Sequence, residues 1–224
     1  MASKIRFNRI MHEHKLMNKS NGDNNIYYYT NDEDINIVYI MLIGPENTPY
    51  SNGFYFFRCI YPDNYPYEPL KVLFLTTDGK TRMNPNLYQS GKLCLSILNT
   101  WSGPSWTSCQ NIISVFLSIL CEVFIDNPLR NEPGMDNSSK KQNKQYNDYI
   151  LHENLRMALI NNLKNPINEY FKNIMLQHLQ KHRIEYKKYF DSISIDDKIL
   201  CTPLWNIQIA NNYEYLINEL NNLI

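Results

Sequence analysis

The pattern of apolar and polar residues changes along the first third of the chain, from helical spacing to short strand-like runs. Residues 3–17 place apolar side chains at helical spacing and basic side chains on the opposite side, which predicts an amphipathic helix. Four runs rich in Tyr, Ile, Val and Phe follow, and each has the composition of a β-strand. The runs occupy residues 26–30, 35–43, 53–60 and 70–75, with connections at residues 31–34, 44–53 and 61–69. Because these connections are short, we expect consecutive strands to pair as a four-stranded antiparallel meander.

Residues 76–105 lose this periodicity. A connection of about 30 residues is unusually long, and such loops are mostly functional or disordered. Its Leu, Ile and Trp residues favour an ordered loop. A buried helix is predicted next, because Thr107 and Gln110 have the spacing of a capping box and residues 112–124 are apolar nearly all round. Pro128 is expected to end that helix.

The second half of the chain is predicted to be helical after a polar, mobile stretch at residues 135–146. Helices are predicted at residues 149–163, 167–193 and 212–223. Pro166 separates the first two. We therefore predict an α+β fold, with a core domain at residues 1–165 that combines the sheet with flanking helices, and a C-terminal helical extension at residues 166–224.

Composition and charge narrow the functional classes. The 22 basic and 22 acidic residues balance, so nothing indicates a surface for nucleic acid. No run approaches the roughly 20 apolar residues of a membrane span, and residues 1–18 lack the apolar core of a signal peptide. Five cysteines lie at irregular spacings without a Cys-x-x-Cys pair, which argues against both a disulfide framework and a zinc site. We expect reduced thiols, no bound metal and a cytoplasmic or nuclear location.

Cys94 is the strongest candidate for chemistry, because it lies in the long irregular segment and not in a predicted strand or helix. An Asn-Pro-Asn turn precedes it, and Asn86 of that turn lies eight residues upstream. The alternative is a small buried apolar side chain, which is a common role of free cysteine. Cys109 is a rival nucleophile, since it would lie in the first turn of the predicted buried helix, where the helix dipole favours a thiolate.

Several further motifs accompany this loop in a fixed order. They are Gly-Pro-x-x-Thr-Pro-Tyr-x-x-Gly at residues 44–53, Tyr-Pro-x-x-Tyr-Pro-x-x-Pro at 61–69, a tryptophan at 101, Val-Phe-Leu-Ser-Ile-Leu at 115–120 and Asn-Pro at 127–128. With the Asn-Pro-Asn turn and Cys94, this set resembles the ubiquitin-conjugating enzymes over about residues 4–163. In that family a His-Pro-Asn turn precedes the thioester-forming cysteine by the same eight residues. The resemblance implies the ubiquitin-conjugating (UBC) fold.

Three departures indicate a subgroup. Asn84 replaces the family's usual histidine, the segment at residues 99–106 is about four residues longer than usual, and a helical tail follows the core. Together with Asn-Glu-Pro-Gly at residues 131–134, these departures resemble the Z-type ubiquitin-conjugating enzymes.

The resemblance implies acyl transfer through Cys94. Cys94 would accept ubiquitin or a ubiquitin-like modifier from an activating enzyme as a thioester, and would pass it to a lysine or to a ubiquitin ligase. No cofactor is expected, because ATP is used by the activating enzyme and not by this chain. Asn86 is expected either to stabilise the oxyanion or to support the loop. Asn84 is expected to hydrogen-bond the loop backbone, and it should add no histidine-like pH dependence because asparagine does not titrate.

The second transfer step carries a departure from the family pattern. The family often places an acidic residue just after the buried helix, where it helps to deprotonate the incoming lysine. Arg130 stands at that position and stays protonated, so it cannot act in this way. Glu132 is a nearby substitute.

The resemblance also maps two partner surfaces onto the chain. Ligase binding maps onto the first helix, Tyr67, Pro104, Ser105 and Trp106, and the activating enzyme maps onto Lys4, Arg6 and Arg9. An exposed aromatic residue beside a proline loop suits an interface anchor. Tyr67 has the alternative of filling the core, and the three basic residues have the alternative of a solvated helix face.

Two other interpretations of the whole chain remain. The rival is a non-catalytic binding or scaffold module that keeps this fold with an idle thiol, and a thiol hydrolase is a more distant rival. Other motifs are incomplete: Gly-Lys-Thr at residues 79–81 imitates a phosphate-binding loop, but Phe74 takes the place of its required glycine. His178 and His182 are four residues apart, but without nearby carboxylates or thiols they are interpreted as surface residues and not as metal ligands.

Overall fold

The computed structural model describes residues 2–30, 33–191 and 199–223 of the 224-residue chain. Contacts divide the chain into two compact units, Met1–Asp126 and Asn127–Ile224. The predicted boundary between residues 165 and 166 does not coincide with this division, and it stays a prediction for the limits of the core domain. Residues 31 and 32 of the first predicted connection lie outside the described part of the chain. Within the described part, no helix is both long and apolar enough to span a membrane.

The first unit begins with helix α1, Ala2–Lys19, which extends slightly beyond the predicted residues 3–17 at both ends. The predicted apolar face is only partly confirmed, because Ile10 is buried but Phe7 and Met11 are 50% and 44% exposed. The buried apolar residues of this helix are Ile10 and Met17. Glu13 lies between them on the inward side and is only 1% exposed. A carboxylate in such a place requires hydrogen-bond donors around it, because burial without partners is unfavourable for a charge.

A four-stranded antiparallel sheet follows in the order β1-β2-β3-β4. Its strands are β1 (Ile26–Thr30), β2 (Ile37–Ile43), β3 (Phe54–Ile60) and β4 (Lys71–Phe74). Each strand lies within one of the predicted runs, and neighbours in the chain are neighbours in the sheet. The predicted meander is therefore confirmed.

One row of side chains shows which face of this sheet is covered. Tyr28, Ile40, Phe57 and Phe74 are register partners on neighbouring strands, and all four are buried. Partners across an antiparallel pair share a face, so the row forms one apolar surface. The ring of Phe57 lies edge-on to Phe116, with centroids 5.3 Å apart. The helix that follows the long loop therefore packs on this face, and each fully buried side chain contributes about 2 kcal/mol.

That helix, α2 (Ile112–Ser118), begins four residues later than the Thr107 capping box predicted. Gln110 does accept a hydrogen bond from the Thr107 N–H at 2.9 Å, but the pair closes a separate turn. The N-cap is Asn111, which exchanges side-chain and backbone hydrogen bonds with Ser114. The helix continues as wider π-type turns over Ile119–Val123, so it ends before Pro128.

The second unit is built on helix α3, Lys140–Glu153, which continues through π-type turns at Asn154–Asn161 into α4, Asn162–Lys164. The prediction of a mobile stretch at residues 135–146 was wrong, because the chain is helical from Lys140 onward. Ser139 and Gln142 form a capping box that starts the helix before the apolar pattern begins. The hydrogen bonds of this cap stabilise the start of the helix, although its first two turns have no apolar pattern.

Further elements complete the second unit. They are α5 (Glu169–Lys181), α6 (Arg183–Asp191), a two-stranded antiparallel sheet of β5 (Ile199–Cys201) and β6 (Gln208–Ala210), and α7 (Tyr213–Asn221). The helix predicted at residues 167–193 is thus two helices, and its last two residues lie outside the described part; the β5–β6 hairpin was not predicted. Trp205 of the hairpin lies 5.9 Å from Tyr146 of α3, and Tyr213 of α7 lies 5.1 Å from His152 of α3, measured between ring centroids.

His178 of α5 is partly buried, in contrast to the surface position expected from the sequence. Burial, with a smaller repulsion from His182 and Lys181, lowers the pKa of His178 from 6.5 to about 4. Below pH 6.5 the unfolded chain therefore binds a proton that the folded chain does not bind until the pH nears 4. We expect the free energy of unfolding to fall by about 1 kcal/mol between pH 7.5 and pH 5 for this reason, measured by urea unfolding.

The matched comparison uses two histidine variants. His178→Leu removes this part of the pH dependence, while His12→Ala, at an exposed histidine of α1, leaves it in place. An identical pH dependence in His178→Leu and the wild type would contradict the expectation.

Candidate active site

The segment between β4 and α2 carries the predicted catalytic residues, Asn84, Asn86 and Cys94, and is held as a compact loop. Leu87 pairs with both Asn84 and Leu93 through isolated β-bridges. Gly91 makes the reversal possible, because its φ is +85° and a Cβ there would lie 2.7 Å from the Phe74 carbonyl oxygen. The chain therefore doubles back after the Asn-Pro-Asn turn.

This reversal brings Cys94 to Asn86, and two reciprocal hydrogen bonds join them. The Cys94 N–H donates to the Asn86 carbonyl oxygen at 2.9 Å, and Nδ2 of Asn86 donates to the Cys94 carbonyl oxygen at 2.8 Å. The eight-residue spacing of the sequence is thus a direct spatial pair. Nδ2 carries two N–H groups and this contact uses one, so loop support and oxyanion stabilisation are compatible roles for Asn86.

Cys94 lies in irregular backbone, as predicted, yet it is only 1% exposed. Its neighbours Leu93 and Leu95 are buried to a similar degree. The thiol is therefore sheltered, and a reaction at sulfur requires this segment to open locally. Burial alone would fit a packing cysteine such as Cys59, but the hydrogen-bonded pair with Asn86 distinguishes Cys94 from it.

Asn84 is fully buried and joins three separate parts of the first unit. Its Nδ2 donates to the Tyr50 hydroxyl and to the Val123 carbonyl oxygen, both at 2.8 Å, and its Oδ1 accepts from the Asn86 N–H at 2.8 Å. The Tyr50 hydroxyl donates in turn to the Met83 carbonyl oxygen at 2.9 Å. Burial raises the pKa of Tyr50, so the hydroxyl stays a donor. Asn84 makes the expected bond to the loop backbone, and Tyr50 is a supporting residue that sequence reasoning missed.

Thr100 supports the other side of Cys94 and was also missed. Its Oγ1 accepts from the Leu95 N–H at 2.9 Å and donates to the Leu93 carbonyl oxygen at 3.0 Å. One hydroxyl thus bridges the residues immediately before and after the cysteine. Thr100 lies in the segment at residues 99–106 that is longer than usual, and this segment therefore folds back onto the cysteine.

We expect Thr100→Val to speed alkylation of Cys94 by iodoacetamide. Valine keeps the shape of threonine but removes both hydrogen bonds, each worth about 1 kcal/mol, so local opening should become about thirtyfold more frequent. Mass spectrometry of the labelled peptides measures the rate at each cysteine. The exposed Cys109 and Cys121 give an internal reference that should not change.

Thr100→Ser retains the hydroxyl and is expected to behave as the wild type. Equal Cys94 labelling rates in the valine and serine variants would show that these hydrogen bonds do not control access to the thiol.

A second network holds α1 against the loop at residues 61–69 and against the start of α2. Glu13 accepts hydrogen bonds from Nε of Arg9 at 2.6 Å, from the Tyr61 hydroxyl at 3.3 Å, from the Tyr65 hydroxyl, and from the Ile112 N–H at 3.0 Å. The carboxylate therefore satisfies a donor at the N-terminus of α2 and orients two tyrosines. Glu13 was not predicted from the sequence, although its helical spacing with Ile10 and Met17 is the signal that could have placed it inward.

Comparison with known proteins assigns the family. The model of the ubiquitin-conjugating enzyme family matches residues 9–156, which is more than half of the chain. The chain belongs to the ubiquitin-conjugating enzyme family. The matched range contains Asn84, Asn86 and Cys94, and the observed sheet with flanking helices agrees with the predicted α+β UBC fold.

The relatives also support the predicted Z-type resemblance. Human ubiquitin-conjugating enzyme E2 Z is 38% identical over 162 residues, covering 70% of this chain and 44% of its own length. The Danio rerio protein of the same name is 36% identical over 162 residues, covering 71% and 48%. A Caenorhabditis elegans protein named probable ubiquitin-conjugating enzyme protein 17 is 36% identical over 189 residues, covering 79% and 26%. The chain thus spans about half or less of the length of these relatives.

The residues mapped to ligase binding differ in exposure. Tyr67 is 69% exposed, so it does not fill the core, and Pro104 and Ser105 are exposed as well. Trp106 is buried, and its Nε1 donates to the Pro66 carbonyl oxygen at 2.8 Å. Trp106 is therefore not the exposed anchor that was expected, because it is buried and its hydrogen bond supports the loop that contains Pro66. Tyr67 is the exposed aromatic residue.

The basic residues mapped to the activating enzyme are mostly engaged within the first unit. Lys4 is exposed. Nε of Arg6 donates to the Pro62 carbonyl oxygen at 2.7 Å, and Arg9 bonds to Glu13 and to the Gln110 carbonyl oxygen, both at 2.6 Å. Arg6 and Arg9 thus have a structural role, and their partner role stays a prediction.

Arg130 and Glu132 lie at the start of the second unit. Arg130 is exposed in the short 3-10 helix Pro128–Asn131, and Glu132 is half-buried just after it. Both are described within that unit, and their roles on the lysine side stay predictions.

The other thiols do not form a competing site. Cys109 is exposed and precedes α2, so the expectation that it lies in the first turn of that helix was wrong. Cys59 is buried, and burial raises the pKa of its thiol, which disfavours a thiolate. Among the described residues, no group of three or more His, Cys, Asp or Glu could hold a metal ion.

Proposed function

We propose that this protein conjugates ubiquitin or a ubiquitin-like modifier to other proteins through a thioester on Cys94. The observation that carries the proposal is the reciprocal hydrogen-bonded pair of Cys94 and Asn86 inside the range that matches the family. The pair places the side-chain amide of Asn86 beside the nucleophile, and local opening of the segment would expose the thiol for acyl transfer.

The first step exchanges one thioester for another. The Cys94 thiolate attacks the C-terminal carbonyl carbon of the modifier on an activating enzyme, a C–S bond to Cys94 forms, and the C–S bond to the activating enzyme's cysteine breaks. That cysteine leaves as a thiolate. ATP is consumed earlier by the activating enzyme, so this chain needs no cofactor of its own. The free N–H of Nδ2 in Asn86 would donate to the oxyanion that forms during the attack.

The second step releases Cys94. A substrate lysine amine, or a ligase thiolate, attacks the same carbonyl carbon, the new C–N or C–S bond forms, and Cys94 leaves as a thiolate. The amine loses its proton to solvent or to a nearby carboxylate, for which Glu132 is the candidate. Arg130 cannot accept that proton, so we propose that transfer to a ligase is faster than direct transfer to lysine.

The partners follow from this chemistry. They are the modifier, its activating enzyme and a ligase, with Tyr67, Pro104 and Ser105 as the proposed ligase contacts. A cytoplasmic or nuclear location would give the protein access to all three and would keep its thiols reduced.

A charging assay tests the proposal. The protein is mixed with ATP, ubiquitin or a ubiquitin-like modifier, and one of several activating enzymes, and is then run on non-reducing gels with and without a thiol reductant. A reductant-sensitive band one modifier heavier supports the proposal and identifies the activating enzyme. A folded sample that forms no such band with any combination of modifier and activating enzyme would favour the scaffold interpretation.

A further inference from the structure

The second unit contains an open cleft of about 490 Å³ where the turn around residue 130 faces the first half of α3. Its lining is polar and includes three cationic side chains, Arg130, Lys140 and Lys144, against one carboxylate, Asp148. All of these residues belong to the second unit. Of these residues only Arg130 enters the chemistry proposed for Cys94, and there only because it cannot accept a proton.

The charges in this cleft are not balanced. Nζ of Lys144 lies 2.7 and 2.9 Å from the two oxygens of Asp148, so this pair is neutral as a unit. Arg130 and Lys140 form no ion pair with any residue that the structure describes. Two cations that line one concavity raise the local positive potential, and an anionic ligand relieves their repulsion.

The wall of the cleft is fixed before any ligand arrives. Asn143 is buried, its Nδ2 donates to the Ser138 carbonyl oxygen at 3.1 Å, and its Oδ1 accepts from the Ser138 hydroxyl at 3.0 Å. The Ser139 and Gln142 capping box holds the same turn. Because this backbone is already ordered, little conformational entropy would be lost there on binding.

The size and shape of the cleft select the class of ligand. A single inorganic anion would fill only a small part of 490 Å³, whereas a few residues of an extended peptide would occupy it. The lining supplies charge and hydrogen-bond donors, since the side chains of Asn127 and Asn147 also line it, and it offers no large apolar surface. These features fit carboxylate or phosphate groups on a polar peptide.

We infer that this cleft binds an acidic segment of a partner protein, with Arg130 and Lys140 holding carboxylate or phosphate side chains. The inference does not depend on thioester formation at Cys94. A binding experiment tests it even in a preparation that cannot be charged.

The experiment is fluorescence anisotropy with labelled ten-residue peptides on the full chain. One peptide is rich in glutamate, one carries phosphoserine, and a third has the same length with glutamine and serine. We expect both acidic peptides to bind, the neutral peptide to bind at least tenfold more weakly, and all binding to weaken as salt rises from 50 to 300 mM. The tighter acidic peptide identifies whether carboxylates or phosphates are preferred.

Two adjacent lysines give a matched control. Lys140→Gln and Lys141→Gln change the net charge equally and lie next to each other on α3, but only Lys140 lines the cleft. We expect Lys140→Gln, and likewise Arg130→Gln, to raise the Kd about tenfold, and Lys141→Gln to raise it less than twofold. Circular dichroism of each variant checks the fold.

Three outcomes would overturn the inference. The first is that Lys140→Gln and Lys141→Gln weaken peptide binding equally. The second is that the neutral and acidic peptides bind equally well. The third is that a single-stranded RNA control binds more tightly than either acidic peptide.

Discussion

Cys94→Ser is expected to hold the modifier as an adduct that survives thiol reductant, and Cys94→Ala is expected to hold none. A serine hydroxyl forms an ester, which thiols cleave far more slowly than a thioester, and alanine offers no nucleophile. The expected change in charging for Cys94→Ala is a complete loss. The band pattern on reducing and non-reducing gels measures both results with the activating enzyme that charges the wild type.

The control is the same substitution at the exposed rival, Cys109→Ala, which should charge as the wild type does. Because Cys94 is buried, serine and alanine there each reduce stability by about 1 kcal/mol, so thermal unfolding must show that both variants are folded at the assay temperature. A Cys94→Ala protein that still charges, together with a Cys109→Ala protein that does not, would move the nucleophile to Cys109.

Glu13→Ala is expected to lower the free energy of unfolding by about 3 to 5 kcal/mol. Removing this buried carboxylate leaves Arg9 without its ion-pair partner and leaves the Tyr61 and Tyr65 hydroxyls and the Ile112 N–H without their acceptor. Breaking a buried charge pair from one side has a cost of this size, and each orphaned donor adds to it. Urea unfolding at pH 7, followed by fluorescence and circular dichroism, measures the change.

His12→Ala is the matched control, because His12 is the preceding residue of α1 and is exposed. It should change the free energy of unfolding by less than about 0.5 kcal/mol. A loss below 1 kcal/mol for Glu13→Ala would mean that the four donors find water or other acceptors, and that the network is not a major source of stability.

Glu13 also shows where sequence reasoning ends. Its inward position could be predicted from the helical spacing of Ile10 and Met17, but its partners lie 48, 52 and 99 residues further along the chain. A pattern within one helix specifies which side faces inward, and it contains no information about which distant donors meet there. The same limit applies to Thr100 and Tyr50, whose contacts depend on how the long loop folds back.

Elements were predictable where one local signal dominated. Runs rich in Tyr, Ile, Val and Phe, with turn residues between them, specified all four strands of the sheet to within two residues at each end. The start of α3 was missed because residues 140–145 are polar, although Ser139 and Gln142 already carried the capping-box pattern. The start of α2 was misplaced because two capping patterns lie four residues apart, and the one at Asn111 and Ser114 was overlooked.

Some features of the site were also predictable from the sequence, and others were not. The role expected for Asn86 came from the family resemblance, and the structure places Asn86 and Cys94 in direct contact. The exposure of Tyr67 and the burial of Trp106 were not predictable, since both are aromatic residues in proline-rich loops. Their difference in exposure arises from packing, because the indole of Trp106 lies against Tyr65 and donates a hydrogen bond to the Pro66 carbonyl oxygen.

The hydrogen bonds of Asn84 restrict how this position can evolve. A single amide supplies two N–H donors, to Tyr50 and Val123, and one acceptor, to the Asn86 N–H. A neutral imidazole has one donor and one acceptor, so histidine at residue 84 would leave one of these three buried partners unsatisfied. Exchange between asparagine and the family's histidine is therefore not a one-step neutral change.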